Sequence, residues 1–275
     1  MQKTWFITGA SAGLGRVMTE KLLARGDRVI GTLRRVGALD DLVGRYGNRL
    51  QTMTLDVTDT AAVRTAIGDA FKTMGRIDII VSNAGYGLFG AAEEVSDAQI
   101  DRQIATNLTG SIQVIRASLP YLRDQGGGRI MQVSSEGGQI AYPNFSLYHA
   151  TKWGIEGFVE AVAQEVAPFG IDFILVEPGP TATGFAAAKD DAVPMQVYDD
   201  TPAGVVRRGV ADGSFAIKGD AAKCADAMIA AADAERPALR LALGSTAYRS
   251  ITAALADRLE KIEQQREVAL SADRS

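Results

Sequence analysis

Short runs of β-branched and aliphatic residues alternate with amphipathic or alanine-rich segments along most of the chain. The short runs predict seven strands, at residues 3–8, 28–33, 50–55, 77–82, 128–133, 171–176 and 239–243. The segments between them predict helices near residues 14–26, 60–74, 96–124, 146–168 and 220–234. This alternation is typical of an α/β fold with one doubly wound parallel β-sheet and helices on both faces. No linker, repeat or low-complexity tract divides the pattern, so we expect residues 1–275 to form a single domain.

Two regions depart from the alternation. Residues 180–218 contain three prolines and several glycines but no clear strand, which predicts a substrate lid or binding loop. Residues 245–271 predict a charged C-terminal helix, whose apolar stripe contains Leu255, Leu259 and Ile262. The charged residues of this helix are most simply a solvated face.

Composition restricts the function classes. The chain has 47% hydrophobic and 23% charged residues and a net charge of −4, which gives no reason to expect nucleic acid or an anionic membrane as partner. One cysteine, Cys224, cannot form an internal disulfide and fits a reducing compartment. One histidine, His149, cannot build a histidine metal site, so we expect no metal. A strand at the start leaves no room for a signal peptide, and no apolar run has the length of a membrane span, so the prediction is a cytoplasmic protein.

A glycine-rich turn follows the first predicted strand. The sequence Thr8-Gly9-Ala-Ser11-Ala-Gly13-Leu14-Gly15 leads directly into a predicted helix. Glycines at such a turn let the backbone approach a pyrophosphate, and the helix N-terminus supplies amides and a favourable dipole. The spacing is G-x-x-x-G-x-G rather than the common G-x-G-x-x-G. We therefore expect this turn to bind a dinucleotide.

The end of the second strand indicates which dinucleotide. A site selective for NAD places an acid there to bind the ribose 2′-hydroxyl. Here the strand ends in Arg34 and Arg35, and no acid precedes Asp40. Two guanidinium groups suit a 2′-phosphate. NADP(H) is therefore favoured and NAD(H) remains possible; the alternative is a pair of solvated arginines that begin a loop.

Three more positions are candidates for ligand binding. Two follow the ends of predicted parallel strands, and the third is an unfavourable residue within a predicted helix. Asp56 and Val57 follow the third strand, where Asp56 could hold the adenine edge or cap a helix. Asn107 is a helix-disfavouring residue in mid-helix. Such sheets bind ligands outside the carboxyl ends of their strands. The fourth strand adds a tight turn formed by Asn83, Ala84 and Gly85.

Tyr148 and Lys152 share one face of a predicted helix, and Ser135 precedes Tyr148 by thirteen positions. Lowering a tyrosine pKa from about 10 to about 7 requires roughly 4 kcal/mol. One positive charge about 4 Å away supplies about that much at an effective dielectric of about 20. Tyr148 beside Lys152 is therefore a candidate general acid/base with a lowered pKa. The pair alone is weak evidence, because Tyr-x-x-x-Lys occurs by chance in many helices.

Taken together, these motifs resemble the short-chain dehydrogenase/reductase family, with its Rossmann-like sheet, over roughly residues 3–185. Ser82 and Ala182 are minor departures from the family pattern. The match also includes Pro178-Gly179 and Thr183. The tail is longer than the family minimum and resembles bacterial members related to steroid- and retinol-type reductases. The resemblance implies an oxidoreductase that transfers hydride between the nicotinamide and a carbonyl or alcohol, and a homodimer or homotetramer.

The resemblance also implies roles for individual residues. Tyr148 would donate a proton to the carbonyl oxygen, and Ser135 would hydrogen-bond that oxygen. Lys152 would bind the nicotinamide ribose and lower the Tyr148 pKa, and Asn107 would hold a water that links Lys152 to solvent. The nicotinamide carboxamide would be steadied by Gly179 and Thr183. His149 would be a bystander that points away from the catalytic face.

Two other functions are alternatives to this one. Gly9-Ala-Ser11-Ala-Gly13 matches the nucleophile elbow of serine hydrolases, but that site needs a distant histidine, and His149 stands beside Tyr148. A non-catalytic NADP-binding sensor or scaffold on the same fold is the stronger alternative. Such a protein is expected to lose at least one catalytic position, and all four are present here.

The substrate pocket is predicted to be apolar, which suits a medium-sized ketone, aldehyde or alcohol. Some of these side chains could instead only pack the lid. Arg207 and Arg208 could meet an acidic group or only solvent. The predicted lining comes from residues 86–89, 136–145 and 180–218 and includes Leu88, Phe89, Tyr142, Phe145, Phe185, Tyr198 and Phe215.

Overall fold

The computed structural model describes residues 2–185 and 188–274. All seven predicted strands are present, with ends close to those predicted. They are β1 Thr4–Ile7, β2 Arg28–Leu33, β3 Leu50–Thr54, β4 Ile79–Ser82, β5 Gly128–Val133, β6 Ile171–Pro178 and β7 Arg240–Leu243.

The seven strands form one parallel sheet in the order β7-β6-β5-β4-β1-β2-β3. The order runs outward from β1 in both directions, so right-handed crossovers place helices on both faces. Strands β1 and β4 pair in parallel, with Trp5 beside Ile79, and the order in which strands are added to the sheet reverses between them. A crevice at the carboxyl ends of these two strands is the usual ligand site of such a sheet.

Ten α-helices are seen in the described residues. Helices α1, α2 and α8 cover one face of the sheet, and α3, α5 and α6 cover the other. Alternation along β1 divides its side chains, since Trp5 and Ile7 face one apolar cluster and Phe6 faces the other. The helices are α1 Gly13–Arg25, α2 Asp40–Tyr46, α3 Thr60–Met74, α4 Asp97–Ile104, α5 Ser111–Asp124, α6 Ser146–Val166, α7 Pro202–Ala211, α8 Ala221–Asp233, α9 Ser245–Glu263 and α10 Arg266–Ser271.

The helices differ from the prediction in three places. The segment 96–124 is not one continuous helix, because a π-helical stretch, Ala105–Gly110, separates α4 from α5. Helix α2 was not predicted, since seven residues are too few for a clear helical period. The C-terminal helix is divided at residues 264–265 into α9 and α10.

The region 180–218 does interrupt the alternation, but it is not without structure. It contains α7 and two-residue strands at Thr181–Ala182 and Asp190–Asp191. The first of these pairs with Gly219–Asp220 and the second with Leu88–Phe89. Across the described parts of the chain, no helix combines the length and the apolar character needed to cross a membrane.

Candidate active site

The turn between β1 and α1 has the features of a phosphate-binding turn. Helix α1 begins at Gly13, and Ala12 before it is extended and provides no side-chain cap. No acidic residue lies in the first turn. In the described residues, no side chain therefore caps the first amides of the helix. A Cβ at Gly15 would lie 2.4 Å from the Gly9 carbonyl oxygen, so only glycine fits there. Ser11 and Leu14, the other predicted residues of this turn, are partly buried.

The turn after β4 supports the glycine-rich turn. The Asn83 Nδ2 donates to the carbonyl oxygens of Thr8 at 2.9 Å and Gly9 at 3.2 Å. In return, the Thr8 hydroxyl accepts from the amides of Asn83 at 2.9 Å and Ala84 at 3.0 Å. The predicted cofactor residues of the two turns are thus one hydrogen-bonded unit, which Gly85 completes. The role of the Thr8 hydroxyl was not predicted; its signal is a threonine at the strand end directly before the first glycine.

Arg34 and Arg35 are exposed directly beyond β2. Arg34 lies close enough to Asp56 to contribute to a lowered Asp56 pKa, although hydrogen bonds from Thr58 are the larger cause. Both arginines therefore begin the loop at the carboxyl end of β2, which is where the sequence predicts a 2′-phosphate site.

Asp56 does not cap a helix, which was one of the two alternatives. The Thr58 amide donates to Asp56 Oδ1 at 2.9 Å and the Thr58 hydroxyl at 2.7 Å. The cap of α3 is Asp59, whose side chain accepts from the amides of the first turn. Val57, between them, is buried against the π-helical stretch, where a Cβ at Gly110 would be 2.9 Å from its Cγ2.

Tyr148, Lys152 and Ser135 lie together beneath the carboxyl edge of the sheet. Tyr148 is 8% exposed and Lys152 is 6% exposed, both on the inward face of α6. The Lys152 ammonium donates to the Val133 carbonyl at 3.0 Å and lies 5.5 Å from the centre of the Tyr148 ring. Ser135 follows β5, and its hydroxyl accepts from the Gly137 amide at 3.1 Å.

Burial sets the protonation of this group. It raises the pKa of Tyr148 to about 12; the Ser135 hydroxyl opposes the rise and the Glu136 carboxyl adds to it. Burial also lowers the pKa of Lys152 to about 8. The predicted lowering of the Tyr148 pKa is therefore wrong for the protein alone, because it counted the ammonium charge and omitted desolvation. At neutral pH Tyr148 is a neutral phenol beside a lysine that is mostly charged.

Asn107 lies in the π-helical stretch, with its side chain directed at the turn after β4. Its Oδ1 accepts from the Tyr86 amide at 3.1 Å, and its Nδ2 donates to the Tyr86 carbonyl at 2.8 Å. The next residue, Leu108, packs against α6, where a Cβ at Gly154 would be 3.2 Å from Leu108 Cδ1. The amide side chain thus bonds both the amide and the carbonyl of Tyr86, a contact that the sequence did not predict.

The loop after β6 faces the glycine-rich turn. Strand β6 ends at Pro178, and the Gly179 amide donates to the Leu243 carbonyl at 3.0 Å. Further along, Thr183 Cβ lies 3.9 Å from the position that a Cβ would take on Gly13. The structure thus brings together two predicted cofactor segments that are 170 positions apart.

Aromatic rings surround Tyr148 on the open side. The Phe185 ring centre is 5.8 Å and the Phe145 ring centre 6.2 Å from that of Tyr148. Tyr142 stands next to Phe145 at 5.2 Å and to Phe215 at 6.3 Å.

Of the other predicted lining residues, Phe89 joins this cluster, with its ring centre 5.0 Å from that of Phe145, and Tyr198 and Leu88 do not. Tyr198 donates its hydroxyl to Glu93 at 2.8 Å, and Leu88 belongs to a separate small apolar cluster. Arg207 forms an ion pair with Glu94 at 2.5 Å, and Arg208 donates to a backbone carbonyl at 2.7 Å. The two arginines therefore bond to groups of their own chain.

His149 is buried rather than simply turned away from the site. Its ring centre lies 4.6 Å from that of Tyr142, and burial lowers its pKa to about 4. Its Nδ1 accepts from the Tyr142 amide at 3.4 Å. A neutral histidine thus supports the aromatic cluster. Within residues 2–185 and 188–274 there is no group of three or more His, Cys, Asp or Glu side chains arranged to hold a metal ion.

Known proteins are similar to this chain in sequence and fold. Residues 3–193 match the family model for short chain dehydrogenases. Oxidoreductase BOA17 of Botryotinia fuckeliana is 37% identical over 248 residues, which cover 90% of each chain. A 3-ketodihydrosphingosine reductase of Bacteroides thetaiotaomicron is 37% identical over 179 residues, which cover 65% of this chain and 64% of that one.

Solved structures agree. A short-chain dehydrogenase from Streptomyces avermitilis superposes with a TM-score of 0.91 at 38% identity, covering 99% of this chain and 98% of that one. Structures with the same fold at 23% identity were solved with NADP and with NAD bound. The fold, the family match and the relatives lead to one conclusion: the chain belongs to the short-chain dehydrogenase/reductase family and is an oxidoreductase.

Proposed function

We propose that the chain is an NADP-dependent reductase of a medium-sized apolar ketone or aldehyde, with Tyr148 as general acid. The observation that carries the proposal is the buried group of Tyr148, Lys152 and Ser135 beside the uncapped start of α1. The pKa of Tyr148, raised to about 12, keeps the phenol protonated at neutral pH. A protonated phenol is the form needed to reduce a carbonyl, whereas oxidation of an alcohol needs the phenolate.

The residues of the chain then have distinct tasks. A bound nicotinamide cofactor would supply the hydride for the carbonyl carbon. Tyr148 gives its proton to the carbonyl oxygen, and Ser135 hydrogen-bonds the same oxygen and orients it. Lys152 stabilises the phenolate left on Tyr148 by its positive charge. Asn107 positions the turn at Tyr86, and the water that links Lys152 to solvent is assigned to its main chain.

The dinucleotide is assigned to the edge formed by the two turns and the loop after β6. The unpaired amides at the start of α1 take the pyrophosphate, and Asp56 and Val57 lie where the adenine is expected. Gly179 and Thr183 are assigned to the nicotinamide carboxamide, across from Gly13.

We assign a preference for NADP over NAD because Arg34 and Arg35 are exposed at the end of β2. The test is a fluorescence titration of the purified protein with NADPH and with NADH. We expect Arg34→Asp to weaken NADPH at least tenfold and to leave NADH within about threefold, since one charged hydrogen bond is worth about 1.5–3 kcal/mol. Arg64→Asp, an equal charge change at an exposed position of α3, is the matched control. Equal weakening of both cofactors by Arg34→Asp would remove the NADP assignment, and binding of neither by the wild type would remove the proposed function.

The aromatic rings of Tyr142, Phe145 and Phe185 favour an apolar substrate around the reacting carbonyl. A long-chain ketone is a suitable first probe, because one relative is named a 3-ketodihydrosphingosine reductase. The assay follows NADPH oxidation with aliphatic ketones and aldehydes of increasing chain length. We expect kcat/KM to rise with chain length, and a preference for short charged ketones would contradict the apolar pocket.

The overall organisation is part of the same proposal. The chain acts as one domain, with residues 180–218 as the substrate lid, in the cytoplasm, where a single buried cysteine fits a reducing medium. A homodimer or homotetramer is supported by the exposed apolar stripe of α9, which places Leu255, Leu259 and Ile262 on one side of the helix. Light scattering of the purified protein gives the mass that decides this point.

A further inference from the structure

A buried carboxyl group, that of Glu156, lies on α6 one turn beyond Lys152. Glu156 is 2% exposed and has three partners. The Ser134 hydroxyl donates to its Oε1 at 2.5 Å, the Arg240 Nη1 donates to its Oε2 at 2.7 Å, and the Gln139 Nε2 also donates to Oε2. In the described residues Glu156 has no hydrogen bond or ion pair with Tyr148, so proton transfer from Tyr148 does not account for it; its charge acts on Lys152, where it opposes the lowering of the pKa by burial.

Two of these partners enclose the segment that contains Ser135. Ser134 directly precedes Ser135, and Gln139 follows the short 3-10 turn Glu136–Gly138. We call residues 135–139 the Ser135 segment. One carboxylate therefore bonds both Ser134, directly before this segment, and Gln139, its last residue. That carboxylate is itself fixed on α6, the helix that carries Tyr148 and Lys152.

We propose that Glu156 is a positioning residue, which joins the Ser135 segment to the catalytic helix and so sets the distance between Ser135 and Tyr148. The inference rests on the proposed function, in which both hydroxyls meet the same carbonyl oxygen. That arrangement needs precision, because a misplacement of about 1 Å can cost about a hundredfold in rate.

The packing around the carboxylate agrees with this role. A Cβ at Gly138 would lie 1.9 Å from Glu156 Oε1 and 2.9 Å from the Ser134 Oγ. The 3-10 turn is therefore pressed directly against the carboxylate, and any side chain at position 138 would separate the two. The turn cannot move toward α6, and its hydrogen bonds prevent it from moving away.

Arg240 makes the buried charge possible. Its guanidinium, on β7, contacts Glu156, Glu160 and Glu177. Glu160 offers a matched control, because it stands one turn further along α6 and contacts the same arginine at 2.7 Å. It is half exposed and has no hydrogen bond to the Ser135 segment in the described residues. A loss seen in both Glu156 and Glu160 variants would point to Arg240, and a loss confined to Glu156 would point to the segment.

The test measures kcat and the NADPH dissociation constant separately in Glu156→Ala, Ser134→Ala and Glu160→Ala. We expect Glu156→Ala and Ser134→Ala to lower kcat at least tenfold while the NADPH dissociation constant stays within about twofold. Glu160→Ala should keep both quantities within about twofold. The double variant S134A/E156A should be no slower than E156A within about twofold, since residues that act through one contact are not additive.

Hydrogen exchange supplies a readout that needs no turnover. Amides of the Ser135 segment should exchange faster in Glu156→Ala than in the wild type or Glu160→Ala. If the wild type reduces no carbonyl, the proposed function fails, and the exchange result still decides whether Glu156 holds the segment. Unchanged exchange, or kcat within twofold of wild type in folded Glu156→Ala and Ser134→Ala, would overturn the inference. If Glu156→Ala does not fold, Ser134→Ala and Gln139→Ala give the same decision.

Discussion

Tyr148 is buried in apolar surroundings, and the Lys152 ammonium lies 5.5 Å from its ring centre. The Glu136 carboxyl acts against this ammonium, because its charge raises the Tyr148 pKa. Desolvation favours the neutral phenol, and the ammonium favours the phenolate. Burial prevails, and the pKa rises to about 12. Tyr148 therefore keeps its proton at neutral pH, and the protonated phenol is the form that reduction requires.

Removal of this proton should stop the chemistry and leave binding intact. We expect Tyr148→Phe to lower kcat by about 10²–10⁴-fold, the usual worth of a general acid. The NADPH dissociation constant should change less than about threefold, because the ring and its packing remain. Steady-state kinetics and a fluorescence titration on the same preparation measure both. A variant that keeps a tenth or more of the wild-type kcat would show that another group supplies the proton.

Lys152 should control the pH dependence of reduction. Burial lowers its pKa to about 8, so its charge is present below that pH and is lost as the pH rises through it. The charge stabilises the phenolate that Tyr148 leaves, so kcat/KM for reduction should be level below pH 8 and fall about tenfold per unit above it. A pH–rate profile between pH 6 and 10 checks this. A level profile up to pH 9.5 would show that the lysine charge does not contribute.

The helices and strands differ in how far the sequence could predict them. All seven strands were predicted because each is a short apolar run bounded by polar or glycine-rich segments. The π-helical stretch at Asn107 was not predicted, although an asparagine in mid-helix signalled an irregularity. The stretch has only six residues, too few for the hydrophobic period to distinguish a π-helical from an α-helical turn.

The site was predicted to a similar degree. Tyr148, Lys152 and Ser135 do meet, because strand ends and one helix face determine where they lie. The Tyr148 pKa was predicted in the wrong direction, since desolvation depends on neighbours that are distant in sequence. Glu156 was not predicted for the same reason. Its spacing from Lys152 was visible, but its partners Ser134 and Arg240 come from other elements.

The π-helical stretch holds the turn after β4 through one side chain. Asn107→Ala removes both hydrogen bonds to Tyr86; the Tyr86 carbonyl keeps its bond from Gln103 Nε2 at 3.3 Å, and the Tyr86 amide loses its partner. We expect a loss of about 1–3 kcal/mol in the free energy of unfolding, the usual cost of one unsatisfied group. Urea unfolding followed by circular dichroism measures it. Ser118→Ala, at another buried position that bonds only within α5, is the control and should cost less. Equal losses in the two variants would mean that the turn is held by other contacts.

At the level of the whole chain, the doubly wound order places the segments that carry the chemistry at one edge. The turns after β1 and β4 are hydrogen-bonded to each other, and the loop after β6 approaches Gly13. These segments span more than 170 positions. A bound dinucleotide would therefore contact segments that are distant in sequence but adjacent in the folded chain. Cofactor binding should therefore be coupled to the stability of the entire sheet.

This coupling can be measured as a thermal shift. A ligand at a hundred times its dissociation constant adds about 2.7 kcal/mol to the free energy of unfolding. For a chain of this size that corresponds to a rise in Tm of about 5–10 °C. At equal concentrations, NADPH should raise Tm several degrees more than NADH, because Arg34 and Arg35 contact only the 2′-phosphate in the proposed site. In Arg34→Asp the difference between the cofactors should disappear while the NADH shift remains. Equal shifts in the wild type would contradict the NADP preference and leave the dinucleotide site itself standing.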